Sequence, residues 1–169
     1  MNFLCKNIIN LVISIVFSIQ IGNGISYASQ ISDIESAIVV CAQAKTFFTV
    51  QLYRTLTKEG AYVRSIFVRK NDVAVANIIL PSSEDVKNLS VKVKKYKKGC
   101  VFECFYGGGD NFYSRCFYFK CANGKLVLYQ VVGTHSVVDS DKIVTEKKDI
   151  RPHINIKDFN ILNYLENSP

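Results

Sequence analysis

The chain has 169 residues, 21 Lys+Arg against 14 Asp+Glu and a formal net charge of +7, and hydrophobic residues make up 49% of it. That length fits one domain rather than several, and no internal repeat or low-complexity tract divides it. Arginines are few and scattered, which argues against nucleic-acid binding despite the basic balance.

The N-terminus reads as an export signal. Lys6 is followed by an apolar run from Ile8 to Ile21, interrupted by Asn10, Ser14, Ser18 and Gln20. A membrane-spanning helix needs about 20 apolar residues, so the run is short for an anchor, the alternative reading. Ser26-Tyr27-Ala28 supplies small residues at cleavage spacing, which places the cut after Ala28. Residues 29–169 then form a single exported β-rich domain, in the periplasm, secreted or at the cell surface. Cys5 leaves with the signal; Cys41, Cys100, Cys104, Cys116 and Cys121 remain, where disulfides persist.

Beyond Ala28 most segments have the composition of strands. Residues 33–44 suit a helical turn or two, through Ile34, Ala37, Ile38 and Cys41, and equally a strand over Ile38–Cys41. Phe47–Leu56 is β-branched and aromatic and ends at the turn Lys58-Glu59-Gly60. Ala61–Arg69 and Val73–Leu80 are two strands joined by Lys70-Asn71-Asp72. Pro81 to Asp85 is a loop, since proline removes a ladder donor and Ser and Asp compete for local hydrogen bonds. Leu89–Tyr96 alternates Leu89, Val91 and Val93 against Ser90, Lys92 and Lys94, a half-buried strand with a cationic outer face. After the cysteine-rich stretch, Ala122-Asn123-Gly124 is a turn and Lys125–Val132 a strand. Gly133–Asp141 is expected as loop, Lys142–Val144 as a short strand and Lys147–Asp149 as solvated. Ile150–Ile156 alternates, with Pro152 favouring a sheet edge. Phe159, Ile161, Leu162 and Leu165 predict a terminal helix of about two turns, capped by Asp158. The expected fold is all-β or mostly β: an antiparallel sandwich or barrel-like domain with a disulfide-stapled hairpin and a short C-terminal helix.

That hairpin is the centre of the chain. Between Cys100 and Cys121 stand four cysteines, many aromatics and a Gly107-Gly108-Gly109-Asp110 turn. Placing Cys104 opposite Cys116 brings Cys100 opposite Lys120, beside Cys121. A bulge near Lys120 then permits two disulfide rungs; the rival pairing closes Cys116 to Cys121 directly. Zinc is disfavoured because the cysteine spacing is loose and the intervening residues are strand formers. No metal or other cofactor is expected.

Other candidate sites divide between function and plain structure. Lys92, Lys94, Lys95, Lys97 and Lys98 form a basic patch suited to an anionic surface, or merely the lysines that protect an edge strand. The triple glycine lacks the lysine, hydroxyl and helix of a phosphate loop. His135, with Thr134, Ser136 and Asp139 near in sequence, and His153 have no nucleophile fixed by a motif, so no catalytic residues are assigned. Asn88-Leu89-Ser90 fits a glycosylation acceptor. The hairpin tip, with Tyr106, Gly108, Asp110 and Tyr113 and the flanking Phe105 and Phe112, suits insertion into a partner protein.

Taken together, the signal, the strand Ile38–Cys41, the strand-turn-strand ending at Ile79-Leu80-Pro81, the Cys116-x4-Cys121 element and the closing Ile154–Phe159 run into Leu162 and Leu165 resemble the invasion-associated locus B family of alphaproteobacteria. The similarity covers about residues 36–166. Departures are the absence of a tryptophan before Cys41, Val50 where a second N-terminal cysteine is expected, and the added Cys100, Cys104 and hairpin tip. The resemblance implies a non-enzymatic periplasmic or surface protein that aids bacterial invasion of host cells, with a host-surface or bacterial protein partner. The alternative reading is a small periplasmic inhibitor or immunity protein that plugs a toxin or lysozyme active site.

Overall fold

A computed structural model describes residues 32–43, 46–138 and 143–165. The signal segment, its cleavage site and Asp139 lie outside the described residues. Among the described residues, nine strands form two antiparallel meanders. The first sheet orders β1 (Ser32–Gln43), β2 (Thr46–Leu56), β3 (Tyr62–Lys70) and β4 (Val73–Ile79). The second orders β5 (Ser90–Tyr96), β6 (Gly99–Gly108), β7 (Asn111–Ala122), β8 (Lys125–Val137) and β9 (Ile143–Asn155). Within each sheet every strand pairs with its sequence neighbour, because short turns between alternating segments leave antiparallel hairpins as the shortest closure. The expected sandwich is present. The open choice at residues 33–44 is resolved over 33–43 as strand β1, paired along its length with β2, and Ala44 lies outside the described residues.

The turns follow residue chemistry. Asn71-Asp72 adopts positive φ of 45° and 68°, and Asn123-Gly124 adopts 50° and 66°, the backbone of two-residue hairpin turns whose twist matches the flanking strands. Between the sheets lie Val40, Phe48, Val50, Leu52, Ile66 and Val68 from the first, and Val91, Val93, Phe102, Phe117, Phe119, Leu126 and Leu128 from the second. β1 and β2 approach β5, and polar ties flank the core. Arg64 of β3 donates to the Glu35 carboxylate at 2.7 Å and to the Leu89 carbonyl at 3.4 Å. Lys70 donates to the Gly124 carbonyl at 2.8 Å.

Three expectations change at the C-terminal end. β8 runs on to Val137 rather than ending before a loop at Gly133, because Thr134, His135 and Ser136 are paired on both sides, to β7 and β9. Ladder partners override the polar composition. Residues 143–144 of the expected short strand and the stretch at 147–149 belong to one edge strand, β9, Lys142 lying outside the described residues; Lys147 and Lys148 are exposed within it, and Pro152 sits on that edge as expected. The terminal helix is shorter than expected and capped elsewhere. A 3-10 turn, Ile156–Asp158, contains Asp158, and its cap is Asn155, whose Oδ1 accepts from Lys157 N. Helix α1 (Leu162–Leu165) begins where Asn160 Oδ1 accepts from Leu162 N at 3.0 Å. The break allows Ile156, Phe159, Ile161 and Leu165 all to be buried, which one continuous helix does not. Phe159 packs on Phe117 and Phe119 at 5.3 Å each and on Tyr164 at 5.8 Å.

Candidate functional site

The β6–β7 hairpin is built as expected, but one residue out of the expected register. Cys104 lies opposite Arg115, and Cys116 opposite Glu103. Side chains alternate, so Cys104 faces the core and Cys116 the outward surface; no rung joins them. The physical reason is the apolar pattern. In the observed register Phe102 opposes Phe117, and Cys100 opposes Phe119, all on the core face. A slip by one residue places Phe117 on the face of Glu103. The β6–β7 ladder also runs unbroken to Lys120, and the bulge falls instead on the β7–β8 side, between Tyr118 and Phe119. Cys100, Cys104, Cys116 and Cys121 are thiols in this structure, which corrects the expected staple. Burial pushes the Cys100 and Cys104 thiols well above the usual range, Cys121 adding to the first and Cys116 to the second. Burial, then the Glu103 carboxylate, raises Cys116 as well. Cys100 and Cys104 are core groups, and Cys116 and Cys121 are only partly buried.

The tip itself divides into two faces. Tyr106 and Tyr113 point to the core side, where Tyr106 is 8% exposed and stacks on Tyr113 with centroids 5.4 Å apart. Tyr113 stacks in turn on His135, one strand further, at 4.5 Å. Phe105 and Phe112, on the outward face, are 45% and 49% exposed. Gly109-Asp110 forms the turn between the paired Gly108 and Asn111, with Gly109 at φ 62°. Gly107 has φ 120°, and a Cβ there meets the Asn111 carbonyl oxygen at 2.3 Å, so only glycine lets the strands approach so closely.

Neighbouring segments hold this tip on both sides. Gly107 N donates to the Lys87 carbonyl at 2.9 Å, and Asn88 Nδ2 donates to the Gly107 carbonyl at 2.9 Å. Val138 N donates to the Asp110 carbonyl at 2.8 Å. His135 Nε2 donates to Asn111 Oδ1 at 2.8 Å, since that oxygen only accepts. Asn88, the glycosylation candidate, is thus a brace for the hairpin, and His135 is a stacking partner; Thr134 and Ser136 point to the opposite face. The sequence contained the His135 pairing only if β8 had been extended past Gly133, and its polar residues hid that.

The five patch lysines are all exposed. Lys92 and Lys94 stand on the outward face of β5, with Lys94 Nζ 2.7 Å from Glu103 Oε2. Lys97 and Lys98 form the β5–β6 turn, with Lys97 at φ 50°. The lysine run is therefore both an edge and a hairpin turn. His153 lines a shallow groove of about 590 Å³ with Asn123, Lys125 and Asp158, far from His135 along the sheet. Among the described residues no cluster of three His, Cys, Asp or Glu side chains is placed to hold a metal ion, and no helix is long and apolar enough to cross a membrane.

This geometry defines a β-sandwich with a braced, partly apolar hairpin tip. Compared with protein-family models, curated proteins and solved structures, the chain matches none.

Proposed function

We propose that the protein is an exported, non-enzymatic binding protein that uses the β6–β7 tip to engage a protein partner at the bacterial periplasm or surface, aiding invasion of host cells. The role rests on the resemblance to the invasion-associated locus B proteins. The observation that carries the binding reading is the tip: Phe105 and Phe112 are exposed on a turn held by Lys87, Asn88, His135 and Val138. A pre-ordered turn loses little conformational entropy on binding, and exposed aromatic side chains are the usual anchors of a protein interface. Raised thiol pKa values and the engagement of His135 Nε2 with Asn111 favour binding over nucleophilic catalysis.

The narrow turn also fits the second reading, an inhibitor whose tip enters a toxin or lysozyme cleft. One experiment separates them. Bacteria carrying Phe105→Ser/Phe112→Ser are compared with the parent for host-cell invasion, and the purified proteins for protection against lysozyme. Reduced invasion with unchanged lysozyme activity supports the first reading. Loss of lysozyme inhibition moves the assignment to the second, and no change in either assay overturns the tip as the site. N-terminal sequencing of the exported protein tests the cleavage after Ala28.

A further inference from the structure

The outward face of the second sheet carries a feature separate from the tip. Tyr96 ends β5 opposite Gly99, whose own partner on β7 is Lys120. With no side chain at Gly99, Tyr96 reaches across β6 to Tyr118, centroids 5.0 Å apart at 64°. Tyr118 continues to Tyr129 at 6.4 Å and 56°. Each outer ring carries an ammonium: Lys97 Nζ stands 5.2 Å from the Tyr96 centroid, and Lys120 Nζ 5.2 Å from the Tyr129 centroid. Lys94 lies two residues before Tyr96 on the same face, against Glu103. A second acid of this face, Asp149, accepts from Gln130 Nε2 at 2.8 Å. These two carboxylates are thus satisfied within the fold, while Lys97 and Lys120 stand over rings.

We infer that this row of tyrosines and lysines binds an acidic polysaccharide, a chain bearing carboxylates or sulfates. The Tyr118 hydroxyl is engaged by Cys116, but the Tyr96 and Tyr129 hydroxyls and the ammonium groups offer donors at short intervals, and such donors call for a ligand made of acceptors. Single-stranded nucleic acid is the other polyanion to consider, but its bases bind by stacking on exposed ring faces. Here the outer rings are tilted to their neighbour and capped by ammonium groups. The cations are all lysine, point charges suited to dispersed single anions, rather than the arginine forks that grip phosphates in two places. A flexible glycan adapts to a row of single charges along a flat sheet. The row is independent of the tip, which occupies the other end of the sheet.

The test uses the purified mature protein and sodium polygalacturonate as the probe, with dextran, single-stranded DNA and phosphatidylglycerol vesicles alongside. Binding to polygalacturonate that weakens with salt, and no binding to dextran, is expected. Lys97→Gln/Lys120→Gln lowers affinity about tenfold and reduces the salt dependence by up to about two ions. Lys58→Gln/Lys157→Gln removes the same charge elsewhere and leaves affinity within about twofold. Tyr129→Phe keeps the ring and the fold but removes one hydroxyl of the row, and weakens binding several-fold. The inference is overturned if DNA or vesicles bind as tightly as the polyuronate, if the two lysine pairs have equal effects, or if polygalacturonate does not bind.

Discussion

His135 lies on Tyr113 with ring centroids 4.5 Å apart and planes 9° from parallel, a contact across β7 and β8 that supports the tip from beneath. Tyr113 passes the support to Tyr106 at 5.4 Å and 19°. Stacked aromatic pairs add about 0.5–1.5 kcal/mol beyond their buried area. His135→Ala is therefore expected to cost about 1 kcal/mol in urea unfolding and to speed amide exchange at 107–111 more than elsewhere. Unchanged exchange at the tip removes the stack as its support.

Phe159 is the keystone of the C-terminal segment, touching Phe102, Phe117, Phe119 and Tyr164. Truncating a buried phenylalanine costs about 3–5 kcal/mol. Phe159→Ala should lower stability by that amount and expose residues after Ile156 to protease, whereas exposed Phe112→Ala should cost far less.

Two glycines separate close approach from turn geometry. At Gly99 a Cβ stands 1.9 Å from the Phe119 carbonyl oxygen, so Gly99→Ala must push β6 and β7 apart. A loss of about 2–3 kcal/mol is expected, the range of severe single substitutions. At Gly109 there is open space and only the positive φ of 62° to oppose a side chain, so Gly109→Ala should cost about 1 kcal/mol. The order of the two melting temperatures checks the register of the hairpin.

Acid should loosen the loop before β5. Asp85 Oδ2 accepts from Ser82 Oγ at 2.8 Å and from Ser82 N at 3.0 Å, and these bonds hold its carboxyl below the ordinary value. A depressed folded pKa means the stabilisation is present above the ordinary carboxyl value and is lost as pH falls through the folded one. Protection of the Val86 amide, which donates to the Ser82 carbonyl, should therefore fall below about pH 4 in the parent. In Asp85→Asn it should be low and flat across that range.

The thiols should also react in a fixed order. Cys100 and Cys104 are fully buried and Cys116 only partly, on the outward face beside Tyr118. Under native conditions at pH 8, iodoacetamide should modify Cys116 well before Cys100 or Cys104, read by mass spectrometry of the digested protein. Equal rates indicate that the core opens as readily as the surface.

Much of the fold was legible in the residues themselves. Alternation in Leu89–Tyr96, the β-branched run of Val73–Leu80 and the Asn-Gly turn at 123–124 are local signals, and each became the expected strand or turn. Local chemistry decides them because strand periodicity and positive-φ turns depend on a few adjacent residues. Pairing was not local. Whether Cys104 meets Cys116 or Arg115 depends on which register hides Phe102, Phe117 and Phe119 together, and that is settled only when the first sheet and Phe159 cover that face. In the same way, Thr134-His135-Ser136 reads as loop until β7 and β9 supply ladders on both sides. The chain's own residues determined strands, turns and a basic, aromatic character; packing between distant segments chose which faces those residues share.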